Sequence, residues 1–577
     1  MDLEPQQISQ EVFRERYALE GEENVDAQRL RVAAALAAVE RDVSYWQPRF
    51  YHALRGGLIP GGRINSAAGV ALDATLLNCF VQPVGDSIDS IYQSLREAAE
   101  TMRRGGGVGY NFSALRPAGA KVKGTGTLAS GPVSFMHLFD ASCDVIESAG
   151  ARRGAQMGVL DCDHPDIEAF VHAKDKGEFR NFNLSVGATD RFMQAVADDA
   201  LWDLVHVAEP DLLVYPQASR RPDGRWCYRT LRARDLWTQI MASAYDHAEP
   251  GILFLDKINR DNNLGYCEHI SATNPCGEQP LPDYACCDLA SINLTWLVRR
   301  PFAADATFDF SALGQLARVA VRMLDNVYDV TRWPLPQQRQ EALQKRRLGL
   351  GFLGLGDALI MLGLRYDSEK GRGVAARIAE TLRNEAYLSS VEVAREKGAF
   401  PLFSAEGMLS GDHSANRLPA SIKDRIRRHG LRNSHLTCIA PTGTISLAFA
   451  DNASNGIEPA YAWSYKRNKR MADGRVLEFK VEDHAWRAYS AQGGDTQNLP
   501  PAFVSALELQ ALDHMRMVAA VQPYVDAGIS KTVNIPANYP FAEFEVLYFE
   551  AWRAGLKGIA AFRPNACIGS VLFEPDR

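Results

Sequence analysis

The sequence predicts an α/β protein with one large domain behind a short helical cap. Two observations carry this reading. Apolar strand-like runs alternate with amphipathic helical stretches over most of the chain. No internal repeat and no low-complexity linker divides them. The 577 residues have room for about four average domains, yet large α/β barrels also run well beyond that average. Residues 1–57 form the expected cap and 58–577 the large domain.

The cap reads as helices. Asp26–Glu40 (DAQRLRVAAALAAVE) spaces its apolar residues at helical intervals. Gly56, Gly57, Pro60, Gly61 and Gly62 then punctuate the chain. Residues 76–84 (LLNCFVQPV) read as a strand. The next stretch places Ile88, Ile91, Leu95 and Met102 on one helical face, with Asp86 or Ser87 as N-cap. Residues 201–207 (LWDLVHV) and 435–440 (HLTCIA) are further strands. The polar stretch 404–415 reads as a surface connection within the domain.

Composition narrows the function classes. The formal charge is −7, a poor balance for a general binder of nucleic acid or anionic membrane. Hydrophobic residues make up 46% and charged residues 23%, as in an ordinary globular protein. No apolar run approaches the roughly 18 residues of a spanning helix. The N-terminus is acidic and polar, without the apolar core of a signal peptide. A reducing cytoplasm is therefore expected, where ten cysteines serve as thiols and not as staples. No C-x-x-C and no H-x-x-x-H occurs. Cys162/His164 and Cys267/His269 are isolated pairs, so no protein-built metal site is expected.

Five motifs could carry chemistry. In Asn274-Pro275-Cys276-Gly277-Glu278, an extended path would put amide, thiol and carboxylate on one face; the bland reading is a polar turn with a buried cysteine. Cys286 and Cys287 are adjacent, so on a strand at most one can face that group, and core packing is the alternative for both. Cys79 lies in an apolar run. Pro441-Thr442-Gly443-Thr444-Ile445-Ser446 follows a strand and could offer N–H groups and hydroxyls to an anion, or be a plain N-cap turn. Gly105-Gly106-Gly107-Val108-Gly109 allows close approach to a ligand, or merely ends a helix. Gly349–Gly354 satisfies G-x-G-x-x-G but lacks the context of a nicotinamide site, and close packing accounts better for it.

Together these segments resemble ribonucleotide reductase, in particular its adenosylcobalamin-dependent class II. The resemblance runs over nearly the whole chain. It rests on NCFVQPVGDSIDSI (78–91), RRGGGVGYNFSALRPAG (103–119), NPCGEQPL (274–281), CDLASINL (287–294), APTGTIS (440–446), ISKTVNIP (529–536) and GLKGIAAFRPN (555–565). It implies a ten-stranded α/β barrel of two five-stranded halves with NPCGE on a central finger loop. It implies Cys276 as the thiyl radical, Glu278 as base at the 3′ hydroxyl and Asn274 as a ribose contact. Cys79 and Cys287 would be the redox dithiol. Asp288 and Ala290 stand where Asn and Gly are commoner. Substrate would be held by Gly106, Gly107, Ser66, Asn78 and Pro441, Thr442, Gly443, Thr444, Ile445 and Ser446. Asp86, Arg116 and Lys123 match the site of a dNTP effector, with residues 150–158 as its relay loop. The helix after Asp86 would face a second copy in a homodimer.

The chemistry asks for these residue types. A ribose C–H bond resists acid–base attack, so a radical must break it, and a thiol S–H bond is of similar strength. A carboxylate at the 3′ hydroxyl assists loss of the neighbouring hydroxyl. A dithiol supplies two electrons by becoming a disulfide.

Adenosylcobalamin is the implied cofactor, because Ala560-Ala561-Phe562 replaces the tyrosine pair expected of a class I large subunit. No D-x-H-x-x-G occurs, so no cobalt-ligating histidine of that type is expected. A class I-type large subunit and a non-catalytic nucleotide-binding homologue are the alternatives. Only Cys567 stands near the C-terminus, where the family carries a cysteine pair, so the expectation is a tail that was removed or resides on a separate chain, or a thioredoxin-like reductant that acts directly.

Overall fold

A computed structural model describes residues 3–122, 124–148, 152–470 and 476–564. Ten strands form its main sheet. They are β1 (Leu58–Pro60), β2 (Cys79–Val81), β3 (Gly107–Asn111), β4 (Gln156–Asp161), β5 (Phe182–Ala188), β6 (Gly251–Phe254), β7 (Cys286–Asn293), β8 (Leu348–Leu353), β9 (Thr532–Asn534) and β10 (Gly558–Phe562). Their order is β1-β7-β2-β3-β4-β5-β6-β10-β9, with β8 on the other edge of β7. Strands β2 to β6 run parallel to one another. β7 meets β2, and β10 meets β6, antiparallel, so the sheet holds two parallel sets of opposite direction. Parallel strands covered on both faces favour unbroken apolar runs, and all eight residues of β7 are buried.

The ladder is not continuous between β8 and β9. Residues 435–440 lie there and touch it through two isolated bridges, Leu350 with Thr437 and Ile439 with Ile529. HLTCIA is therefore not a ladder strand, although its backbone bonds both neighbours: Leu350 N–H donates to the Leu436 carbonyl, and Ile439 N–H to that of Gly528. Residues 201–206 form a strand as expected, but in a separate three-stranded sheet with 219–220 and 226–232.

Helices cover the outside. α1 (Gln7–Arg16), α2 (Val25–Ala37) and α3 (Val43–Arg55) make up the N-terminal part. They are not a detached layer. Val32, Leu36 and Phe50 belong to the same core as the long helices α6 (Phe310–Val330) and α7 (Glu369–Lys397). α4 (Gly62–Ala67) follows β1, and α5 (Ile88–Arg103) follows β2. Ser87 caps α5 by accepting from the Ser90 N–H at 3.1 Å. Ile91 and Met102 are buried, but Ile88 is 63% exposed. It sits at the first helical position, and Tyr92 one turn on is also exposed. The stretch 404–415 contains a one-turn helix that buries Met408, so it is more than a surface connection. Among the described residues no helix is long and apolar enough to cross a membrane.

Candidate active site

Ala272–Thr273 pairs antiparallel with Pro280–Leu281, and residues 274–279 form the hairpin tip inside the sheet. NPCGE is thus a turn, not an extended run. Gly277 N–H donates to the Asn274 carbonyl at 3.1 Å, and Gly277 has φ +81°, which glycine adopts without strain. The tip turns because Asn274 closes it: its Oδ1 accepts from the Gln279 N–H at 2.9 Å.

Glycines make room for this hairpin. A Cβ on Gly109 would lie 1.8 Å from the Thr273 carbonyl oxygen, and one on Gly107 would lie 3.1 Å from Pro275. The close approach offered by residues 105–109 is therefore partly to the chain's own hairpin. Asn183 donates to the Pro275 carbonyl at 2.7 Å and Asn111 to that of Ser271 at 3.0 Å, which fixes both flanks. Gly351 likewise lets β8 pass residues 437–439, since its Cβ would meet the Cys438 carbonyl at 2.2 Å. Of the G-x-G-x-x-G glycines, Gly349 and Gly351 lie within β8, and Gly354, at φ +75°, begins the helix that follows it.

The hairpin brings its polar residues to the β2–β7 edge. Cys79 and Cys287 are direct cross-strand partners, a register that sets opposed side chains roughly 5 Å apart at Cβ. Asn274 Nδ2 donates to Cys79 Sγ at 3.2 Å, and Cys79 Sγ lies 3.8 Å from Glu278 Oε1. Asn274, Glu278, Cys79 and Cys287 are buried, while Cys276 is exposed at the tip. Burial pushes the Glu278 carboxyl up, and its Oε2 accepts no protein hydrogen bond. Burial also raises the Cys79 and Cys287 thiols, so both are protonated at neutral pH. Cys286 packs with the outer core, whereas Cys287 belongs to the inner cluster with Cys79. Cys438 joins that inner cluster too. Its spacing from Ala440 on HLTCIA was the available signal, but a strand's faces cannot be assigned without its neighbours. Asp288 is wholly buried with both carboxyl oxygens unpartnered, and burial, with the nearby Asp325 charge, pushes its carboxyl well above the usual carboxylate range.

A cavity of about 390 Å³ opens between this cluster and the start of α8 (Gly443–Phe449). Gly106, Gly107, Asn78, Pro441, Thr442, Gly443, Thr444 and Ile445 line it with Cys79, Asn274, Cys276 and Glu278. Thr442 takes φ +51°, an uncommon conformation for threonine, and its hydroxyl accepts from the Gly456 N–H. That turn aims the first N–H groups of α8 toward the cavity. Asn78 Oδ1 is buried and unpartnered. Ser446 does not line the cavity: it is fully buried and donates to the Ala453 carbonyl. Ser66 does not either, and sits on α4 against the Arg63 carbonyl. Arg63, which the motifs did not single out, is the cation among the described lining residues, and its Nε donates to the Gly105 carbonyl at 2.8 Å. A second cavity of about 390 Å³ borders Pro275, Cys276 and Gly277, with Ser185, Ser530, Gly558 and Ala560–Phe562 around it. Cys276 therefore touches two cavities.

Asp86 and Arg116 lie apart from both. The Arg116 N–H and Nε donate to Asp86 Oδ1 at 3.0 and 3.1 Å, and Nη2 pairs with Oδ2 at 3.0 Å. Lys123 lies outside the described residues, as do residues 150 and 151 of the loop 150–158, and Cys567.

Comparison with known proteins places this arrangement. Residues 77–562 match the family model of the ribonucleotide reductase barrel domain. The chain is 38% identical to a vitamin B12-dependent ribonucleoside-diphosphate reductase of Mycobacterium tuberculosis, over 97% of this chain and 80% of that protein. It is 34% identical to a protein of the same name from Thermoplasma acidophilum, over 89% and 64%. A vitamin B12-dependent ribonucleotide reductase of Streptomyces coelicolor is 29% identical over 86% and 57%. The hairpin, the cross-strand thiols and these matches together make the chain a member of the ribonucleotide reductase family.

Proposed function

We propose that this chain reduces ribonucleoside diphosphates to 2′-deoxyribonucleotides with adenosylcobalamin as cofactor. One observation carries the reading. Cys276, Asn274, Glu278 and Cys79 line one cavity, and Cys287 stands directly opposite Cys79 across the strands, while the relatives' names supply cofactor and substrate class.

The substrate's phosphates would meet the N–H groups of α8 and Arg63, with the ribose toward the hairpin tip. Cys276 Sγ would take the 3′ hydrogen atom and later return it. Glu278 would take the 3′ hydroxyl proton, a role suited to a buried carboxyl with a raised pKa. The 2′ hydroxyl would leave as water with a proton from one thiol of the Cys79–Cys287 pair, the other thiol's proton would go to C2′, and Glu278 would return the 3′ proton. Cys79 and Cys287 would supply two electrons and become a disulfide, and Asn274 would orient the Cys79 sulfur. The second cavity suits the nucleoside portion of the cofactor. Gly558, Ala560 and Ala561 leave it open beside Cys276, and Ser185 and Ser530 offer it hydroxyls. When bound there, adenosylcobalamin would supply the radical that activates the Cys276 thiol.

Other features extend the proposal. The sheet would act as a ten-stranded barrel of two halves, with residues 436–440 and 527–530 bridging β8 to β9. Residues 1–57 would be its helical cap. Asp86 and Arg116 would bind a dNTP that selects the base, and exposed Ile88 and Tyr92 would face a second copy. A thioredoxin-like protein or a cysteine-tail chain would restore the dithiol, in a cytoplasmic setting.

The test is ribonucleotide reduction with adenosylcobalamin and a small dithiol, comparing the native chain with Cys276→Ala. Product from the native chain alone supports the proposal. Product that instead needs a second radical-bearing protein moves the chain to class I. No product under either condition leaves a nucleotide-binding homologue.

A further inference from the structure

The loop that follows β3 carries Arg116, and two histidines hold its backbone. His164 follows β4, and His206 ends the strand Leu201–His206. The His164 Nε2 lies 2.9 Å from the Leu115 carbonyl oxygen, and its Nδ1 lies 3.0 Å from the Asp166 N–H. A carbonyl only accepts and a backbone N–H only donates, so the ring is neutral with its proton on Nε2. His206 repeats the pattern. Its Nδ1 accepts from the Ala208 N–H at 3.0 Å, and the backbone of Ser113 and Ala114 faces its ring. The two rings pack edge to face with centroids 5.5 Å apart, both buried. Burial lowers both, His164 to about 3.

The same loop is tied on its far side. Asp166 Oδ2 accepts from the Ala118 N–H at 2.8 Å. Residues 113–115 and 118 are thus held from beneath, and Arg116 projects between them to Asp86 with its side chain 28% exposed. Asp86 lies directly before the Ser87 cap of α5, so the pair also joins this loop to the helix. Asp86 lies near the His206 ring as a charge, while both histidines make their hydrogen bonds to backbone groups. Their contacts run through the backbone that places Arg116.

We propose that His164 and His206 are positioning residues that set Arg116 for the triphosphate of a deoxynucleotide effector. This rests on the effector reading of Asp86 and Arg116. His164 would act through one contact, its Nε2–H on the Leu115 carbonyl. The Asp166 contact would serve only to fix the tautomer.

Two amide variants separate those contacts. Gln carries an N–H where His has Nε2, and Asn carries an oxygen where His has Nδ1. Binding of each of the four dNTPs to the full chain is measured by equilibrium dialysis, with thermal midpoints alongside. His164→Asn is expected to weaken binding about tenfold, the scale of one lost buried hydrogen bond, and His164→Gln about twofold or less. His206→Asn and His206→Gln are run in parallel and should split the same way, which covers a His164 variant that fails to fold. Affinities that follow the thermal midpoints, with Asn and Gln alike, would overturn the proposal and leave a purely structural pair. Arg116→Ala separates the two layers. If Arg116→Ala loses dNTP binding while His164→Asn and His206→Asn keep native affinity, the positioning role fails alone. If Arg116→Ala binds as the native chain does, the effector reading fails and takes this inference with it.

Discussion

Glu278 shows how one residue's setting becomes a measurable rate. A free glutamate loses its proton near pH 4.3, but this one is fully buried beside the Cys79 thiol, and burial raises its pKa. A base must be unprotonated to act. The acidic limb of the kcat profile should therefore lie at higher pH than an exposed glutamate would place it. Glu278→Gln should remove that limb and lower kcat by about 10²-fold or more, measured under single-turnover conditions so that re-reduction does not intrude. A limb near pH 4 would mean that another group does this work. The residue types at 274, 276 and 278 were legible from sequence, because few other roles need amide, thiol and carboxylate so close together. Their arrangement was not. Alternation along an extended run would expose all three on one face, whereas the turn at Gly277 buries Asn274 and Glu278 and leaves Cys276 at the tip. Arg63 and Cys438 escaped notice for a related reason: nothing local distinguishes a cation or thiol that faces the site from one that does not.

At the scale of elements, the hairpin stands where it does because β3 lacks side chains beneath it. Gly109→Ala would place a methyl 1.8 Å from the Thr273 carbonyl, a backbone atom that cannot step aside without moving the hairpin. It should cost about 2 kcal/mol or more by denaturant unfolding and abolish activity in whatever folds. Gly373→Ala is the control. It lies exposed within α7 with open space around its Cβ position, so it should stabilise by about 0.5–1 kcal/mol. Equal effects from the two would refute the packing account. The glycine run was visible in the sequence as a place for close approach, but not the object approached. The helix α5 was legible from its periodicity and its Ser87 cap. The exposure of Ile88 was not, since a periodic pattern says which residues share a face but not where the covering layer stops. HLTCIA reads as a strand by composition, yet its pairing depends on two neighbours distant in sequence.

At the scale of the molecule, one ion cluster ties the N-terminal helices to the body. Glu40 accepts from Arg322 Nε at 2.7 Å, from Asn326 Nδ2 at 2.9 Å and from Lys397 Nζ at 3.2 Å. Burial alone would raise its pKa, but these partners outweigh it and bring it down to about 2. Its contribution to stability is present above the ordinary carboxylate range and is lost as pH falls from about 4.5 toward 2. Glu40→Gln should cost about 3 kcal/mol at pH 7 and much less at pH 2, read from unfolding curves at the two values. A constant difference would show that the charge is not what matters. By itself the sequence determined the class of architecture, the ordered motifs and the chemical types at the site, because periodicity, turn residues and reactive groups are local properties. Only the tertiary structure decided that Cys79 stands opposite Cys287, that Ser446 and Ser66 turn away from the cavity, and that Cys276 borders two cavities. Those facts depend on strand register and on glycines that admit one segment against another, and contacts between residues some two hundred positions apart leave no spacing for a sequence to display.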